Sequence, residues 1–179
     1  MAIKKLLVHT CCAPCATYSF EKLIYDEFEP VSFFYNPNIH PENEYKRRLE
    51  ELIKFANSKN YPLIIKEDSP ELWFESVKGF EEEKEGKKRC EICFKIRLKK
   101  TAIYAKKNNF DGFTTTLTIS PHKNTAVINQ IGKNLSEKHG IFFLEENFKK
   151  AEGFKKSLEL SKQYHLYRQS YCGCVFSQR

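Results

Sequence analysis

The sequence predicts an α/β domain: a Rossmann-like, mostly parallel sheet flanked by helices, followed by a short cysteine-containing C-terminal tail. Apolar, β-branched runs ending in polar turn residues recur along the chain. Amphipathic segments of helical period separate them, and prolines stand where those helices should begin. Alternation of this kind is the pattern of parallel strands joined by helical crossovers. With 179 residues and no repeat or linker, residues 1–179 are expected to form one domain, with a core large enough to need no disulfide or zinc scaffold.

IKKLLVHT supplies the first strand, and Pro14 suits the first turn of the helix behind it. VSFFYNP is the second strand, after which Pro41 opens a helix running through Glu42 to Lys59. PLIIKED is the third strand and SPELWFESV a short helix, with Ser69 as its cap and Pro70 at the first helical position. From Lys78 to Lys88 the stretch KGFEEEKEGKK is charged, glycine-containing and weakly patterned, which predicts a mobile surface loop able to act as a lid. RCEICFKIRLKKTAIYAKKNN reads as a long helix that turns Ile92, Ile96, Ile103 and Tyr104 inward and a lysine-rich face outward. GFTTTLTI is the fourth strand, and SPHK leads from it into the helix NTAVINQIGKNLSEKHG. IFFLEEN is the fifth strand and GFKKSLELSKQYHLY the last helix. Sites in open α/β sheets form beyond the carboxyl ends of the strands. HTCCAPC after the first strand and TISPHKN after the fourth are therefore expected to share a rim, although the order of the strands is not legible at this stage.

Thirty basic residues against 23 acidic ones leave a formal charge of +7. That balance favours an anionic partner such as nucleic acid, while a plain solvated surface also carries such an excess. MAIKKLLVHT lacks the apolar stretch of a signal peptide, and no run nears the ~20 apolar residues of a membrane span. The expectation is a cytoplasmic protein with no membrane partner.

Seven cysteines in a reducing compartment argue for metal binding or redox chemistry rather than a disulfide framework. They fall in three groups: Cys11, Cys12 and Cys15; Cys90 and Cys93; Cys172 and Cys174. Cys90 and Cys93 are three apart on a predicted helix, so their sulfurs can face the same way and grip one centre. CxxC is equally the spacing of redox dithiols, zinc knuckles and iron–sulfur ligands, and Arg89 with the helix N-terminus should lower the pKa of both thiols. Adjacent Cys11 and Cys12 suit a closed tetrahedral zinc site poorly, because neighbouring side chains diverge. A cluster can take the two sulfurs on different metal atoms. The first two groups thus offer five thiols for four ligands, leaving Cys15, a turn into the helix, as a spare that packs like a small apolar residue. A disulfide between Cys172 and Cys174 would close a small strained ring of the easily reduced kind, and the alternative is that this pair completes a metal site. The plainest reading of the whole set is a structural zinc site with surplus thiols.

Other candidates lie near these cysteines. His122 and Lys123 precede a helix N-terminus, where backbone N–H groups and positive charge favour a phosphate or a developing alkoxide; a capping or surface histidine is the simpler alternative. His9, just before the first cysteines, is a candidate hydrogen-bond donor to the ligating groups. YHLYRQSYCGC interleaves Tyr164, Tyr167 and Tyr171 with His165 and Arg168. Aromatics beside cations suit an unstacked RNA base and its phosphates, but the same tyrosines match a helical core stripe.

HTCCAPC, RCEICFKIRL, FTTTLTISPHKN and LYRQSYCGC, in this order over nearly the whole chain, resemble the QueH-type epoxyqueuosine reductase family. The resemblance implies two-electron reduction of epoxyqueuosine to queuosine at the wobble position of tRNA, the last step of queuosine biosynthesis. It implies a [4Fe-4S] cluster and no cobalamin, with Cys11, Cys12, Cys90 and Cys93 as cluster ligands and Cys172 and Cys174 as a redox-active pair. It also allows an additional iron, and an oxygen ligand in place of one thiolate, for which Asp68 and Asp111 near predicted strand boundaries are candidates. The partners it implies are tRNA carrying epoxyqueuosine in its anticodon loop and an external electron donor. On that chemistry His122, with Lys123 or a tyrosine as alternatives, is the candidate acid for the departing epoxide oxygen. Two rival readings make different demands. A tRNA sulfur-transfer enzyme of the adenine-nucleotide α-hydrolase type should carry a Gly/Ser-rich phosphate loop where CCAPC stands, and a non-catalytic zinc protein binding nucleic acid would be colourless and inert.

Overall fold

The computed structural model describes residues 4–178; Ile3 of the predicted first strand lies outside them. The elements run β1 (Lys5–His9), α1 (Ala13–Tyr25), β2 (Glu29–Phe34), α2 (Glu42–Lys59), β3 (Leu63–Ile65), α3 (Pro70–Val77), α4 (Lys88–Lys107), β4 (Gly112–Thr115), α5 (Thr125–His139), β5 (Phe142–Phe143) and α6 (Gly153–Gln163). Short 3-10 turns follow at Thr116–Ile119 and Val175–Ser177. All five strands are parallel, in the order β3-β2-β1-β4-β5. The expected α/β sheet is present, and β1 and β4 are hydrogen-bonded neighbours, so their carboxyl ends share a rim.

Both faces of the sheet are covered, which is why β1 reads as a continuous apolar run rather than an alternating one. Leu7, Phe33, Phe113 and Phe143 face α4 and α5, where Phe94, Leu98, Ala102 and Ile128 meet them. Leu6, Val8 and Phe34 face the other way, onto Ala16, Phe20 and Leu23 of α1 and Leu52 and Phe55 of α2. Each fully buried Leu or Phe stabilises the fold by ~1.5–3 kcal/mol relative to exposure. Gly132 lets α5 approach β5 closely, since a Cβ there would stand 2.3 Å from the Phe143 ring. Among the described residues no helix is long and apolar enough to cross a membrane.

Several sequence expectations need correction. β4 ends at Thr115 rather than Ile119, because the Thr115 hydroxyl accepts the Leu117 N–H and turns the chain into a 3-10 turn. β5 keeps only two of the seven residues expected. Of the α4 residues expected inward, Ile92, Ile96 and Tyr104 pack against the core while Ile103 is 41 % exposed, and the fully buried face also carries Cys93, Phe94, Arg97, Leu98 and Thr101. Ser69 precedes α3 without capping it, its hydroxyl turning to the Glu71 carboxylate. Residues 78–87 fold over Arg89, whose Nη1 donates to the carbonyls of Phe80, Glu81 and Glu83 at 3.0, 2.7 and 2.5 Å. α6 stops at Gln163, so Tyr164, Tyr167 and Tyr171 do not form a helical stripe.

Candidate metal and redox site

The rim is organised by His9, the last residue of β1. Its Nδ1 lies 3.0 Å from Thr115 Oγ1 and its Nε2 lies 3.2 Å from the Tyr35 carbonyl oxygen, so one imidazole joins β1, β4 and the end of β2. A carbonyl can only accept, so Nε2 carries the proton. Nδ1 then accepts from the Thr115 hydroxyl. Burial, reinforced by the Arg97 charge, pushes the His9 pKa down to about 3 and keeps the ring neutral. Its proton goes to Tyr35 rather than to a cysteine, which corrects the expectation of a donor to the ligands.

Directly after β1, Cys12 sits at the N-cap of α1 in extended conformation. Cys11 Sγ is 3.7 Å from Cys12 Sγ, Cys12 Sγ is 3.0 Å from Cys15 Sγ, and all three sulfurs lie within 4.8 Å of one another. Cys15, expected as a packing spare, therefore contributes its sulfur to the group. Three crowded thiols cannot all ionise. Hydrogen bonds from Cys12 and Cys15 hold Cys11 well below the usual thiol range, burial pushes Cys12 up to about 12, and its two neighbours push Cys15 up. From the tail, Gln169 Nε2 donates to Cys12 Sγ at 3.0 Å.

The second group forms where the start of α4 meets the tail. Cys90, Cys93, Cys172 and Cys174 line one cavity together with Asn38, Arg89, Arg97, His122 and Lys123. Burial raises the Cys90 thiol despite Arg89 and the helix N-terminus, contrary to expectation, because the Arg89 guanidinium is aimed at the loop carbonyls. Hydrogen bonding from Cys174, then from the Ser177 hydroxyl at 2.9 Å, holds Cys172 down to about 4, while Cys174 is pushed up. The CxC pair is thus arranged as one thiolate beside one thiol. All seven cysteines are free.

Cations stand between the two groups. Lys123 lowers the thiols of both Cys11 and Cys172, and Arg97 acts on His9 while lining the cavity of the second group. Arg97 is 3 % exposed, its Nε donates only to the Cys93 carbonyl at 3.4 Å, and it pairs with no carboxylate among the described residues. A buried guanidinium without a carboxylate calls for another anion. Thiolates, or an anionic group held by them, supply it.

Three residues here were missed in the sequence: Arg97, Asn38 and Arg48. Asn38 is 1 % exposed, and its side-chain oxygen has no hydrogen-bond partner. Arg48, on the inward face of α2, bonds Glu44 through Nε at 2.6 Å and the carbonyls of Cys172 and Tyr171 through Nη1 and Nη2 at 3.0 Å each. Gly173 has φ +113, and a Cβ there would stand 2.9 Å from Ile39 and 3.0 Å from Arg48 Nη1. The signal for both arginines was a charged residue on a helix's apolar face: Arg48 with Leu52 and Phe55, Arg97 with Cys93 and Leu98.

The remaining candidates divide. His122 is exposed and, as expected, precedes the N-terminus of α5 with Lys123; His122, Lys123 and Asn124 line the cavity together, and Asn124 itself caps the N–H groups of Ala126 and Val127 at 3.0 and 3.3 Å. Asp111 accepts the N–H groups of Lys4 and Lys5 at the start of β1, on the opposite rim, which removes it as a ligand candidate. Asp68 lies past β3 and is held by the Tyr35 hydroxyl and Lys100. The tail aromatics are engaged too. Tyr167 donates to Glu44, Tyr171 to the His40 carbonyl, and Arg168 reaches Ser161 Oγ at 3.2 Å.

Residues 6–179 match the family model described as epoxyqueuosine reductase QueH. The chain belongs to that family. A QueH epoxyqueuosine reductase of Acinetobacter baylyi is 44% identical over 98% of this chain and 81% of its own length. That of Thermotoga maritima is 42% identical over 96% of this chain and 89% of its own. Among solved structures, the U34-tRNA thiolase NcsA of Methanococcus maripaludis, determined with its [4Fe-4S] cluster, aligns with a TM-score of 0.58 at 15% identity over 98% of this chain and 62% of that one. At that identity the likeness to the thiolase is one of fold.

Proposed function

We propose that the chain reduces epoxyqueuosine in the anticodon loop of tRNA to queuosine, within the single α/β domain read for residues 1–179. The observation that carries the chemistry is the gathering of seven free thiols into two groups flanking Lys123 and Arg97. Removing the epoxide oxygen to leave an alkene consumes two electrons and two protons and releases water.

The donor set fits a [4Fe-4S] cluster: thiolates are its ordinary ligands, and the carboxylate-free Arg97 and Lys123 offset its negative charge. Cys11, Cys12, Cys90 and Cys93 are the proposed ligands, and Cys15, in sulfur contact with Cys12, is the thiol free for an additional iron. When bound, such a cluster supplies single electrons and, at an open iron position, a Lewis acid. The chain's own part is distinct. Oxidation of the Cys172 thiolate and the Cys174 thiol to a disulfide yields the two electrons of one turnover and one of its two protons, the second proton coming from solvent, and an external donor restores the pair. Water and His122 or Lys123 at the cavity wall can hand a proton to the departing oxygen.

The test is anaerobic. Iron-replete protein with a strong reductant and no added cobalamin should convert epoxyqueuosine in tRNA to queuosine, read by nucleoside mass spectrometry. Failure to do so on a sample that a cobalamin-dependent enzyme converts would overturn the proposal. Cys172→Ser should keep the iron and lose turnover; equal iron loss in Cys172→Ser and Cys90→Ala would instead make the tail pair metal ligands.

A further inference from the structure

A second cavity, of about 520 Å³, opens beside the thiol site at the carboxyl ends of β2 and β3. Its volume falls within the roughly 300–1,000 Å³ of small-molecule pockets. The two cavities share one wall, the segment 36–40. Asn38 lines the thiol side, while Asn36, Ile39 and His40 line the other. The wall is fixed from both ends: Asn36 gives its side-chain N–H to the Thr10 carbonyl at 3.0 Å, and the His40 N–H donates to the Gly173 carbonyl at 2.8 Å. Asn36 is 1 % exposed and leaves its side-chain oxygen without a partner.

The lining indicates what fits. Tyr35 and Tyr45 bring aromatic rings, and each hydroxyl donates to a single carboxylate oxygen, Asp68 Oδ2 at 2.8 Å and Glu67 Oε1 at 3.0 Å. The other oxygen of each carboxylate stays available as an acceptor for N–H groups. Charges are largely compensated inside: Glu42 pairs with Lys46 at 2.6 Å and Asp68 with Lys100 at 2.7 Å. A phosphate would meet the carboxylates of Glu42, Glu67 and Asp68 against only Lys46, already paired, and Lys66, whereas a neutral planar ring with N–H donors meets aromatic faces and acceptors.

We propose that this cavity is a subsite for an unpaired nucleobase adjoining the reacting nucleotide of the RNA. The inference rests on the tRNA reading above. Its source is the RNA chain rather than a free nucleotide, because the shared wall places a neighbouring base in the second cavity while the modified one faces the thiols. Base–aromatic stacking is tolerant of base identity, and the unused carboxylate oxygens favour a base that carries ring or exocyclic N–H groups.

The probe is an anticodon stem-loop in which the nucleotide on either side of the wobble position is made abasic in turn, with affinity read by fluorescence anisotropy at fixed salt. One of the two abasic loops should bind wild type on the order of tenfold more weakly, the usual scale of one stacked base. Tyr45→Ala should lose a similar factor on the intact loop and lose nothing more on that abasic loop. Tyr45→Phe, which keeps the ring, should retain the wild-type pattern. Losses that multiply, or full affinity for both abasic loops, would overturn the subsite, as would adenosine monophosphate filling the cavity while the stem-loop stays bound. Wild-type queuosine formation without this coupling would sink the subsite alone; coupling without product formation would sink the reaction and leave the subsite.

Discussion

The thiolate assigned to Cys172 can be tested through the pH profile of its alkylation by iodoacetamide. Cys172 is held down to about 4 from an ordinary 9.0, with Cys174 the largest cause, then Ser177 and Lys123. At pH 6 this makes the thiolate fraction ~99 % against ~0.1 % for an ordinary thiol, a gain of ~10³. Intrinsic nucleophilicity falls with pKa at a Brønsted slope of ~0.4–0.5, which removes ~10² of that gain. The net advantage at pH 6 is therefore less than about tenfold, so a single rate decides little. The slope decides. Between about pH 5.5 and 8.5 the Cys172 peptide, half-buried and within reach of a small reagent, should label at a rate constant within about twofold, while an ordinary thiol climbs ~tenfold per pH unit. Cys174→Ala should bring an inflection into the window, Ser177→Ala less so. A wild-type profile rising tenfold per unit, read by peptide mass spectrometry on reduced protein, would refute the thiolate–thiol arrangement.

Three further outcomes are expected. Cys90→Ala should lose most bound iron and sulfide in anaerobic preparations, and full retention by chemical assay would remove Cys90 from the ligand set. Arg48→Ala strands Glu44 and two tail carbonyls in a buried setting and should cost about 3 kcal/mol, lowering Tm by on the order of 10 °C; a change under 1 °C by calorimetry would show the tail anchored elsewhere. His122→Ala should keep iron and lose ~10²–10⁴-fold in single-turnover rate if His122 is the acid, whereas an unchanged rate would pass that role to Lys123 or water.

Much of the fold was legible because both faces of the sheet are buried: β1 and β2 announce themselves as apolar runs, and Pro14 and Pro70 mark helix starts that the structure bears out. The misplaced strand end at Thr115 had no such signal, since the five successive threonine or leucine residues 114–118 satisfy a strand pattern and only the hydroxyl's bond to Leu117 stops it. The three cysteine groups were visible, but not which sulfurs meet. For Cys15 the information was present. The i, i+3 spacing that pairs Cys90 with Cys93 also brings Cys12 and Cys15 together at the start of α1. Arg48 and Arg97 were hidden for the opposite reason: a lone polar residue in an apolar stripe looks like a defect until a distant element, here the tail or the thiol cavity, supplies its partner; Asn38, in the loop after β2, belongs to no periodic pattern.

The tail is built so that the two-electron store proposed for Cys172 and Cys174 can operate without disturbing the fold that holds it. The carbonyls of Tyr171, Cys172 and Gly173 are all taken by donors from outside the tail, two by Arg48 and one by the His40 N–H. With the backbone fixed at three successive residues, a dithiol–disulfide change is confined to the sulfur atoms and the side chains touching them. Ser177 suits that role, because its single O–H can turn either to Cys172 Sγ at 2.9 Å or to the Cys174 carbonyl at 2.8 Å and so keeps an acceptor when the thiolate is consumed. Lys123 completes the logic. Its charge acts on Cys11 as well as on Cys172, so oxidation of the tail pair removes one of the two anions it neutralises and strengthens its hold on the other. Negative charge lost at the dithiol is thereby felt at the first cysteine group, giving the two halves of the proposed site an electrostatic link that needs no movement of the sheet.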